Sequence, residues 1–486
     1  MTEKPLKVLF LAAEAVPFAK VGGLADVAGS LPRAIRVLGH DIRLMIPRYG
    51  TIRSDQFRLE KVGDPFRIPV GPGEEHVHLI QSTLDENIPV YLIWNESYFS
   101  SRDRVYGFDD DAQRFAVFGR ASLAALHLLD WKPDVIHTND WHTGIVPAWL
   151  NTAGRRDDFY RSIATLFTIH NMAYQGIAGR LILTFAQMEH LQHLPVEQPG
   201  TVNWMAQGIA HADLVNAVSE QYAREILIPE TGMGLAPLLQ KRQDRLFGVL
   251  NGIDYDQWNP STDPNIPHRF DTETIDRRVA NKTALQQQAR LSVRPEVPLV
   301  GMVSRLDQVK GMDLMEPVLE WLLGGEAQFV LLGTGQPEYH EMFERIQDRF
   351  PDRMRAFLKF DDVLARRIYA GADMFLMPSA AEPCGLGQMI AMHYGCVPVV
   401  RATGGLADTV SDYTAKRGRG TGFTFSEYTP EACQDALERA MQIYRNGKAW
   451  RKLQQRGMTV DFSWSASAKE YVKLYRRAIK VHENEM

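Results

Sequence analysis

The chain has 486 residues, a length that predicts two large domains rather than a single core. Hydrophobic residues make up 45% and charged residues 23%, the mixture of a globular protein. The net charge of −5 argues against a nucleic-acid partner. Three cysteines without CxxC spacing disfavour a disulfide framework or a zinc site. Because no apolar run reaches membrane-spanning length, we expect a cytoplasmic protein with no membrane partner.

Short apolar runs alternate with amphipathic segments from end to end. Many runs are rich in Val, Ile and Leu without strict alternation, which is typical of parallel strands covered on both faces. This pattern predicts strands at 7–13, 41–46, 89–94, 134–138, 163–169, 213–218, 246–250, 298–303, 327–332, 354–360, 373–378 and 397–401. Helical periodicity predicts helices at 24–38, 112–129, 311–323, 363–370 and 466–483. Such alternation indicates an α/β fold with doubly wound sheets.

The proline-containing stretch 251–274 interrupts this rhythm and suggests a domain boundary. We predict a Rossmann-like domain over 1–250, a second over 251–465, and a C-terminal helix over 466–486 that crosses back to the first domain. Two such domains facing each other would leave a central cleft. Ligands of these sheets bind beyond the carboxyl ends of the strands, so functional residues are expected directly after strands.

A glycine turn follows the first predicted strand. Lys20, Val21, Gly22 and Gly23 precede the helix that begins near Leu24. A strand, a glycine turn and a helix together offer backbone N–H groups and a positive helix end to a phosphate. The spacing matches neither GxGxxG nor the Walker loop, so it indicates no dinucleotide or ATPase site. A tight turn with a surface lysine is the alternative.

The second half of the chain has comparable strand ends. Arg305 and Lys310 follow one strand and could neutralise a diphosphate leaving group, or could be solvated surface charges. Glu382 follows another strand; it could accept hydrogen bonds from sugar hydroxyls, or could only stabilise a helix N-terminus. Gly385 and Gly387 allow the backbone to approach a phosphate closely.

Four more loops carry polar groups just after predicted strands, and they converge on the expected cleft. They are Asn139-Asp140-Trp141-His142, His170-Asn171, Asn251-Gly252-Ile253-Asp254 and Arg401-Ala402-Thr403-Gly404-Gly405-Leu406. No His/Asp/Glu cluster has metal-ligand spacing, so we expect neither a metal nor another cofactor. Lys20, Arg305 and Lys310 would then carry the charge of a departing diphosphate.

Taken together, these motifs resemble the bacterial glycogen synthase and plant starch synthase family, glycosyltransferase family 5. The resemblance covers nearly the whole chain, and the motifs occur in family order. They are Lys20-Val21-Gly22-Gly23-Leu24-Ala25-Asp26-Val27, Asn139-Asp140-Trp141-His142, Phe167-Thr168-Ile169-His170-Asn171-Met172-Ala173-Tyr174-Gln175-Gly176, Asn251-Gly252-Ile253-Asp254, Ser304-Arg305-Leu306, Lys310-Gly311, Glu382-Pro383-Cys384-Gly385-Leu386 and Thr403-Gly404-Gly405-Leu406.

The resemblance implies the two-domain GT-B architecture, ADP-glucose as the usual bacterial donor, and glycogen or a maltooligosaccharide as acceptor. It implies catalytic roles for Arg305, Lys310, Glu382, His170 and Asp140. It implies that the donor is bound by Lys20, Gly22, Gly23, Arg305, Lys310, Gly385, Leu386, Gly387, Thr403 and Gly404. It also implies that Asn251 and Tyr174 belong to the sugar pocket.

One loop departs from the family pattern Ser-Arg-Phe-Glu-Pro-Cys-Gly-Leu-Thr-Gln. Ala380 and Ala381 replace the Arg and Phe, and Gly387 replaces the Thr. The glycine keeps its backbone N–H. The missing arginine leaves open how the loop is held and which nucleotide base is preferred.

The predicted activity is that of a retaining glucosyltransferase, which extends α-1,4-glucan chains from ADP-glucose and releases ADP. One alternative is another GT-B transferase with a small sugar acceptor, and another is a catalytically silent glucan-binding protein. A glucan phosphorylase would need a pyridoxal-phosphate lysine, for which the sequence has no motif. The sequence does not decide whether ADP-glucose or UDP-glucose is the preferred donor. It also leaves open the oligomeric state, the regulation and the acceptor length.

Overall fold

A computed structural model describes residues 4–85, 87–414 and 418–486. The chain divides into two compact units. Unit 1 comprises Met1–Gly252 and Trp464–Met486, and unit 2 comprises Ile253–Ser463. Among the helices of the described ranges, none is both long enough and apolar enough to cross a membrane.

Unit 1 is built on a nine-stranded sheet and a separate two-stranded one. Its strands are β1 (Lys7–Leu11), β2 (Asp41–Pro47), β3 (Glu60–Val70), β4 (Gly73–Leu84), β5 (Ile88–Trp94), β6 (Val135–Asn139), β7 (Ala164–Ile169), β8 (Ile177–Gly179), β9 (Thr201–Asn203), β10 (Leu214–Ala217) and β11 (Leu246–Gly248). The large sheet has the order β11-β10-β7-β6-β1-β2-β5-β4-β3, and β8 pairs with β9. In the large sheet, β4 runs antiparallel to both of its neighbours, β3 and β5.

Helices cover the large sheet of unit 1. They are α1 (Gly23–Val37), α2 (Asp111–Leu128), α3 (Ile145–Leu150), α4 (Ile182–Phe185), α5 (Trp204–His211), α6 (Glu220–Glu225) and α7 (Ala236–Lys241). The apolar face of α1 is buried, with Leu24, Val27, Leu31 and Ile35 directed into the core. Every residue of β6, β7 and β10 is buried, as expected for strands covered on both faces.

Unit 2 contains a six-stranded sheet in which every pairing is parallel. Its strands are β12 (Leu299–Val303), β13 (Gln328–Leu332), β14 (Met354–Phe357), β15 (Met374–Met377), β16 (Val397–Arg401) and β17 (Phe423–Phe425), in the order β14-β13-β12-β15-β16-β17. Its helices are α8 (Arg278–Gln288), α9 (Met315–Gly324), α10 (Pro337–Arg349), α11 (Asp362–Gly371), α12 (Gly387–His393), α13 (Gly404–Thr409), α14 (Pro430–Tyr444) and α15 (Gly447–Met458).

All twelve predicted strands are present, but the sequence prediction missed the long hairpin of β3 and β4. Most residues of β3 are exposed or half-buried, and Pro65 and Pro69 lie within it. An edge strand of this kind carries little hydrophobic periodicity and tolerates proline, so the sequence reads as a loop.

In each sheet, successive strands are added first on one side of a particular strand and then on its other side. In unit 1, β1 lies between β2 and β6, and in unit 2, β12 lies between β13 and β15. At such a switch point the loops from two neighbouring strands leave in opposite directions and open a crevice at the carboxyl ends. The crevices lie at β1/β6 in unit 1 and at β12/β15 in unit 2.

The final helix, α16 (Trp464–Glu485), belongs to unit 1. The Tyr475 hydroxyl lies 2.9 Å from Nδ1 of His137, a fully buried residue of β6. At the far end of α16, His482 Nδ1 lies 2.9 Å from the Asp213 carboxylate, and Nε2 lies 2.8 Å from the Arg161 carbonyl oxygen. Both ring nitrogens face acceptors, so this geometry favours the imidazolium form.

Replacement of His482 by Ala is expected to weaken the attachment of α16. Burial lowers the pKa of His482, but the hydrogen bond and charge of Asp213 outweigh it, so the net pKa is raised. A raised folded-state pKa gives stability that is complete below the ordinary histidine pKa of about 6.5 and is lost as pH rises through the folded value. We expect His482→Ala to lower the free energy of opening of α16 by about 3 kcal/mol at pH 6, because it leaves Asp213 buried without its cation. The loss should be smaller at pH 9.

Hydrogen–deuterium exchange of the α16 amides measures this opening. Lys480→Ala is the matched control, because Lys480 is an exposed residue of the same helix. Equal effects of His482→Ala at pH 6 and pH 9 would contradict the charged pairing.

Candidate active site

The glycine turn after β1 is organised by a buried carboxylate. Glu14 accepts hydrogen bonds from the backbone N–H groups of Val21 and Gly22, the latter at 3.0 Å. Burial raises the pKa of Glu14, although these two hydrogen bonds act in the opposite direction. Two of the amides expected to meet a phosphate are therefore already bound by an internal anion. The next residue, Gly23, begins α1.

Lys20 also has a partner within unit 1. Its Nζ lies 2.7 Å from Oδ1 of Asp26 in the first turn of α1, and the lysine side chain is 54% exposed. An exposed ion pair of this kind contributes at most about 1 kcal/mol. A stronger anion could replace Asp26 at little cost.

Asp140 lies directly beyond β6, at the switch point of unit 1. Its backbone has a φ of 56°, and a 3₁₀ turn over Trp141–Thr143 follows. Its carboxylate oxygen Oδ1 accepts hydrogen bonds from the backbone N–H groups of His170, at 2.7 Å, and Asn171, at 3.4 Å. Burial raises the pKa of Asp140 to about 7. The loops after β6 and β7 are thus joined through this carboxylate.

His170 has a defined protonation state. Its Nε2 lies 2.9 Å from Oδ1 of Asn139, and the Asn139 amide nitrogen donates to the Leu11 carbonyl at 2.9 Å. Because the amide oxygen faces the ring, Nε2 carries the proton and Nδ1 is the acceptor. Burial lowers the pKa of His170 to about 3, so the ring is neutral at physiological pH.

The sequence did not identify Tyr106 as a site residue. Its hydroxyl donates to Glu14 at 3.5 Å, and its ring lies 5.2 Å from that of His142. Burial raises the pKa of Tyr106, and the charges of Glu14 and Asp140 raise it further. Tyr106 precedes α2 and follows no strand directly, so the pattern of polar residues after strands does not include it.

Tyr174 and Asn251, which the family resemblance assigns to the sugar pocket, differ in how deeply they are buried. Tyr174 is largely exposed. Asn251 is buried, and its Oδ1 has no hydrogen-bond partner within the described part of the chain. A buried amide oxygen without a donor is unusual and could receive a ligand hydroxyl.

In unit 2, Lys310 and Glu382 form a partly buried pair across the switch point. Lys310 Nζ lies 2.6 Å from Oε2 of Glu382, and the side chains are 19% and 8% exposed. The Ser379 hydroxyl donates to the same carboxylate oxygen at 3.2 Å. Arg305 is more open, with 66% of its side chain exposed and Nη1 3.2 Å from Oδ2 of Asp307. The structure thus brings Lys310 and Glu382 into contact, while Arg305 stays at the surface.

The loop of Glu382 is pressed against the loop that follows β16. The Gly405 N–H donates to the Glu382 carbonyl at 3.0 Å. Gly404 has a φ of +44°, and a Cβ there would lie 2.0 Å from the Glu382 carbonyl oxygen. Only glycine fits such an approach. Thr403, immediately before Gly404, is buried beside this contact.

Gly311 is confined in the same way. Its φ is +80°, and a Cβ would lie 2.3 Å from the Pro378 carbonyl oxygen. The predicted helix at 311–323 therefore begins late: a 3₁₀ turn over Met312–Leu314 follows the glycine, and α9 begins only at Met315.

The loop that departs from the family pattern is well anchored. Arg401 donates to the Ala380 carbonyl at 2.7 Å, and the Ala380 N–H donates to the Val309 carbonyl at 2.9 Å. These bonds fix the loop although Ala380 and Ala381 stand where the family has Arg and Phe. Gly385, with a φ of +70°, then leads through Leu386 to Gly387, the first residue of α12.

No group of three or more His, Cys, Asp or Glu side chains within residues 4–85, 87–414 and 418–486 is placed to hold a metal ion. Lys20, Arg305 and Lys310, the cations predicted to meet a diphosphate, are each paired with a carboxylate: Asp26, Asp307 and Glu382. The absence of a metal from the reaction stays a prediction.

Two α/β units, each with polar loops at its switch point, are the architecture that this chain shares with GT-B glycosyltransferases of known structure. The structure of sucrose-phosphate synthase from Thermosynechococcus elongatus shares the fold, with a TM-score of 0.60 at 18% identity, over 97% of this chain and 98% of that one. The catalytic domain of starch synthase IV from Arabidopsis thaliana, bound to ADP and acarbose, superposes with a TM-score of 0.90 at 35% identity, over 98% of this chain and 100% of that one.

Sequence comparisons define the family. Residues 7–241 match the model of the starch synthase catalytic domain, and residues 285–457 match that of glycosyl transferases group 1. A glycogen synthase from Moorella thermoacetica is 46% identical over 482 residues, covering 98% of each chain. One from Syntrophotalea carbinolica is 44% identical, covering 98% of this chain and all of the relative. The chain belongs to the glycogen synthase and starch synthase family.

The raised pKa of Asp140 predicts a pH-dependent stability. A carboxyl whose folded pKa is about 7, against about 3.8 ordinarily, destabilises the fold as pH rises between those values. Asp140→Asn removes this titration. We expect the variant to gain stability relative to wild type between pH 5 and pH 8, by at most about 3 kcal/mol.

Urea unfolding of the ligand-free protein at both pH values measures the difference. Asp130→Asn is the control, because Asp130 follows α2 in the same unit and is exposed. If the difference in unfolding free energy between the wild type and Asp140→Asn does not change with pH, then Asp140 is ionised throughout this range.

Proposed function

We propose that this protein transfers glucose from ADP-glucose to the non-reducing end of an α-1,4-glucan, with retention of configuration and release of ADP. Family membership supports a glucosyltransferase that extends glucan chains. The observation that carries the proposal is the Lys310–Glu382 pair at the switch point of unit 2, with the exposed Arg305 on the same loop after β12. The starch synthase IV structure, which is bound to ADP and acarbose, supports a nucleotide-sugar donor and an oligosaccharide acceptor.

In this proposal the residues of unit 2 bind the donor. Arg305 and Lys310 neutralise the diphosphate, because two fixed cations stabilise the charge that develops on the leaving group. The Glu382 carboxylate accepts hydrogen bonds from donor glucose hydroxyls, and Lys310 and Ser379 hold it in position. The closely approaching backbone from Gly385 to Gly387, and at Thr403 and Gly404, contacts the phosphates.

The residues of unit 1 act on the sugar. His170 is neutral and offers Nδ1 as an acceptor to a glucose hydroxyl. Asp140 holds the loop of His170 and lines the same pocket, together with Asn251 and Tyr174. Lys20 is the proposed donor-binding cation of this unit, with Gly22 and Gly23 providing the turn that carries it.

The chemical step proceeds through an oxocarbenium-like transition state. The acceptor 4-hydroxyl attacks from the face on which the diphosphate departs, and a leaving phosphate oxygen takes its proton. Glu14 and Asp140, two buried carboxylates that follow β1 and β6, both accept backbone hydrogen bonds, and Glu382 pairs with Lys310. Because these carboxylates already have partners, they are better suited to holding the donor and acceptor than to acting as a glycosidase-type nucleophile pair.

Replacement of Arg305 by Ala should reduce turnover about 10²- to 10³-fold without unfolding unit 2, because one charge-stabilising donor is lost at an exposed position. Glucose incorporation into glycogen measures the rate. Arg345→Ala is the matched control, since Arg345 is a similarly exposed arginine with one carboxylate partner, Glu316 on α9. Near-normal turnover of Arg305→Ala would remove Arg305 from the site.

A chelator should leave the rate unchanged, because in this proposal protein cations carry the diphosphate charge. The same incorporation assay with excess EDTA tests the point, and added Mg²⁺ is its control. A loss of activity that Mg²⁺ restores would overturn the metal-free mechanism.

The donor and acceptor are tested together. Purified protein is incubated with ADP-glucose or UDP-glucose, and with glycogen, maltotriose or a monosaccharide acceptor. The proposal expects ADP release coupled to glucose incorporation into glycogen and maltotriose. Transfer only to a monosaccharide would support the small-acceptor alternative, and glycogen binding without nucleotide release would support a silent binding protein.

A further inference from the structure

Two residues of unit 2 to which the sequence assigns no role, Arg401 and Tyr428, connect the loops of the candidate site. Arg401 is the last residue of β16, and Tyr428 lies three residues beyond the end of β17. Strands β12, β15, β16 and β17 are consecutive neighbours in the sheet, and all of them are parallel. The loops that follow them therefore leave the same edge of the sheet, where Lys310 and Glu382 lie.

Tyr428 holds the loop of Lys310 on both sides. Its hydroxyl donates to Oδ1 of Asp313 at 2.5 Å and lies 3.2 Å from the carbonyl oxygen of Gln308. Gln308 begins the 3₁₀ turn that ends at Lys310, and Asp313 belongs to the next turn, beyond the left-handed Gly311. One hydroxyl therefore joins the two turns that flank the lysine.

This contact comes from the edge of the sheet. β17 is the edge strand and lies three positions from β12. Three strand spacings amount to about 14 Å at about 4.8 Å each. The segment after β17 therefore turns back towards the loop of Lys310. Burial raises the pKa of Tyr428, and the bond to Asp313 raises it further, so the hydroxyl keeps its proton and acts as the donor.

Arg401 holds the loop of Glu382. Its Nη1 donates to the carbonyl of Ala380, two residues before Glu382, at 2.7 Å, and its Nε donates to the carbonyl of Ser426 at 3.0 Å. Its guanidinium carbon lies 5.4 Å from the ring centroid of Tyr428. A planar guanidinium can serve two carbonyls and face an aromatic ring at the same time. Arg401 thus connects Tyr428 to the loop of Glu382.

These contacts form a closed ring between the two loops. The Ala380 N–H donates to the carbonyl of Val309, next to Lys310, at 2.9 Å. Arg401 and Tyr428 complete the ring on its other side. The ion pair that the two loops carry, with its 2.6 Å separation, is therefore held from both sides.

We propose that Tyr428 and Arg401 are positioning residues for glucose transfer, because they hold Lys310 and Glu382 in the geometry that the transition state requires. The inference rests on the proposed function, in which Lys310 meets the charge of the departing diphosphate. A fixed cation stabilises developing charge best when it is already in place, and a displacement of about 1 Å can reduce the rate about 100-fold. Tyr428 acts through Lys310, so its contribution disappears when the lysine is removed.

Tyr428→Phe tests the hydroxyl and keeps the ring beside Arg401. Asp313 is exposed and can be hydrated in the variant, so unit 2 should stay folded, which urea unfolding checks. We expect the kcat for glucose transfer from ADP-glucose to glycogen to fall about tenfold. The KM for glycogen should stay within about twofold of wild type, because unit 2 binds the donor in the proposed function.

Tyr444→Phe is the matched control. Tyr444 is a half-buried tyrosine of α14, and its hydroxyl lies 3.2 Å from the carbonyl oxygen of Pro295, at the opposite edge of the same sheet. Its substitution removes a comparable hydroxyl contact far from the loops of the site. The kcat of Tyr444→Phe should equal that of wild type.

A double-mutant cycle separates positioning from a general structural role. Tyr428→Phe is added to Lys310→Ala, and the remaining turnover is measured with radiolabelled ADP-glucose. If Tyr428 acts through Lys310, the added substitution should change this turnover by less than about twofold. The same tenfold loss in both backgrounds would mean a structural role only and would overturn the inference.

Arg401→Lys provides a second variant. Lysine keeps the charge but lacks the planar fork that serves two carbonyls, so we expect the kcat to fall about fivefold or more. Wild-type kcat in both Arg401→Lys and Tyr428→Phe would overturn the inference and leave the proposed function intact. If the wild-type protein transfers glucose to no glucan, the proposed function fails, and this inference fails with it.

Discussion

The structure depends on one constraint, the burial of parallel strands on both faces. Every backbone group of β6, β7 or β12 must pair within the sheet, and the side chains must be accommodated in an apolar core. Charged and polar groups are therefore concentrated where the strands end. At the switch points the loops diverge, so the carboxyl ends there are the most open. Asp140 in unit 1, and Lys310 and Glu382 in unit 2, all lie at these positions.

The two units use buried charge differently. In unit 1 the carboxylates of Glu14 and Asp140 are held by backbone N–H groups, and burial raises the pKa of each. In unit 2 the Glu382 carboxylate is paired with a cation, Lys310. The buried Asp140 carboxylate, whose pKa is raised to about 7, holds a loop and can take up a proton near neutral pH. The Glu382 carboxylate is held by Lys310 and Ser379 through Oε2 and can present its other oxygen to a ligand.

The loop at Ala380 is held in place although its sequence departs from the family pattern. Arg401, from the end of the neighbouring strand β16, donates to the Ala380 carbonyl. The sequence shows that the usual arginine is absent but does not show this contact, because the two residues are 21 positions apart and meet only through strand pairing. The same limit applies to Tyr106, which reaches Glu14 from 92 residues away.

The sequence alone determined the α/β alternation, twelve of the strands and the positions of the polar loops, because burial on both faces leaves a strong apolar signal in each strand. Its motifs indicated the family, which the comparisons confirm. Tertiary structure decided which charges are already paired. Lys20 reads as a free cation but contacts Asp26, and the Gly22 amide reads as a phosphate ligand but binds Glu14. These pairings depend on distances and burial, which residue types and spacing do not specify.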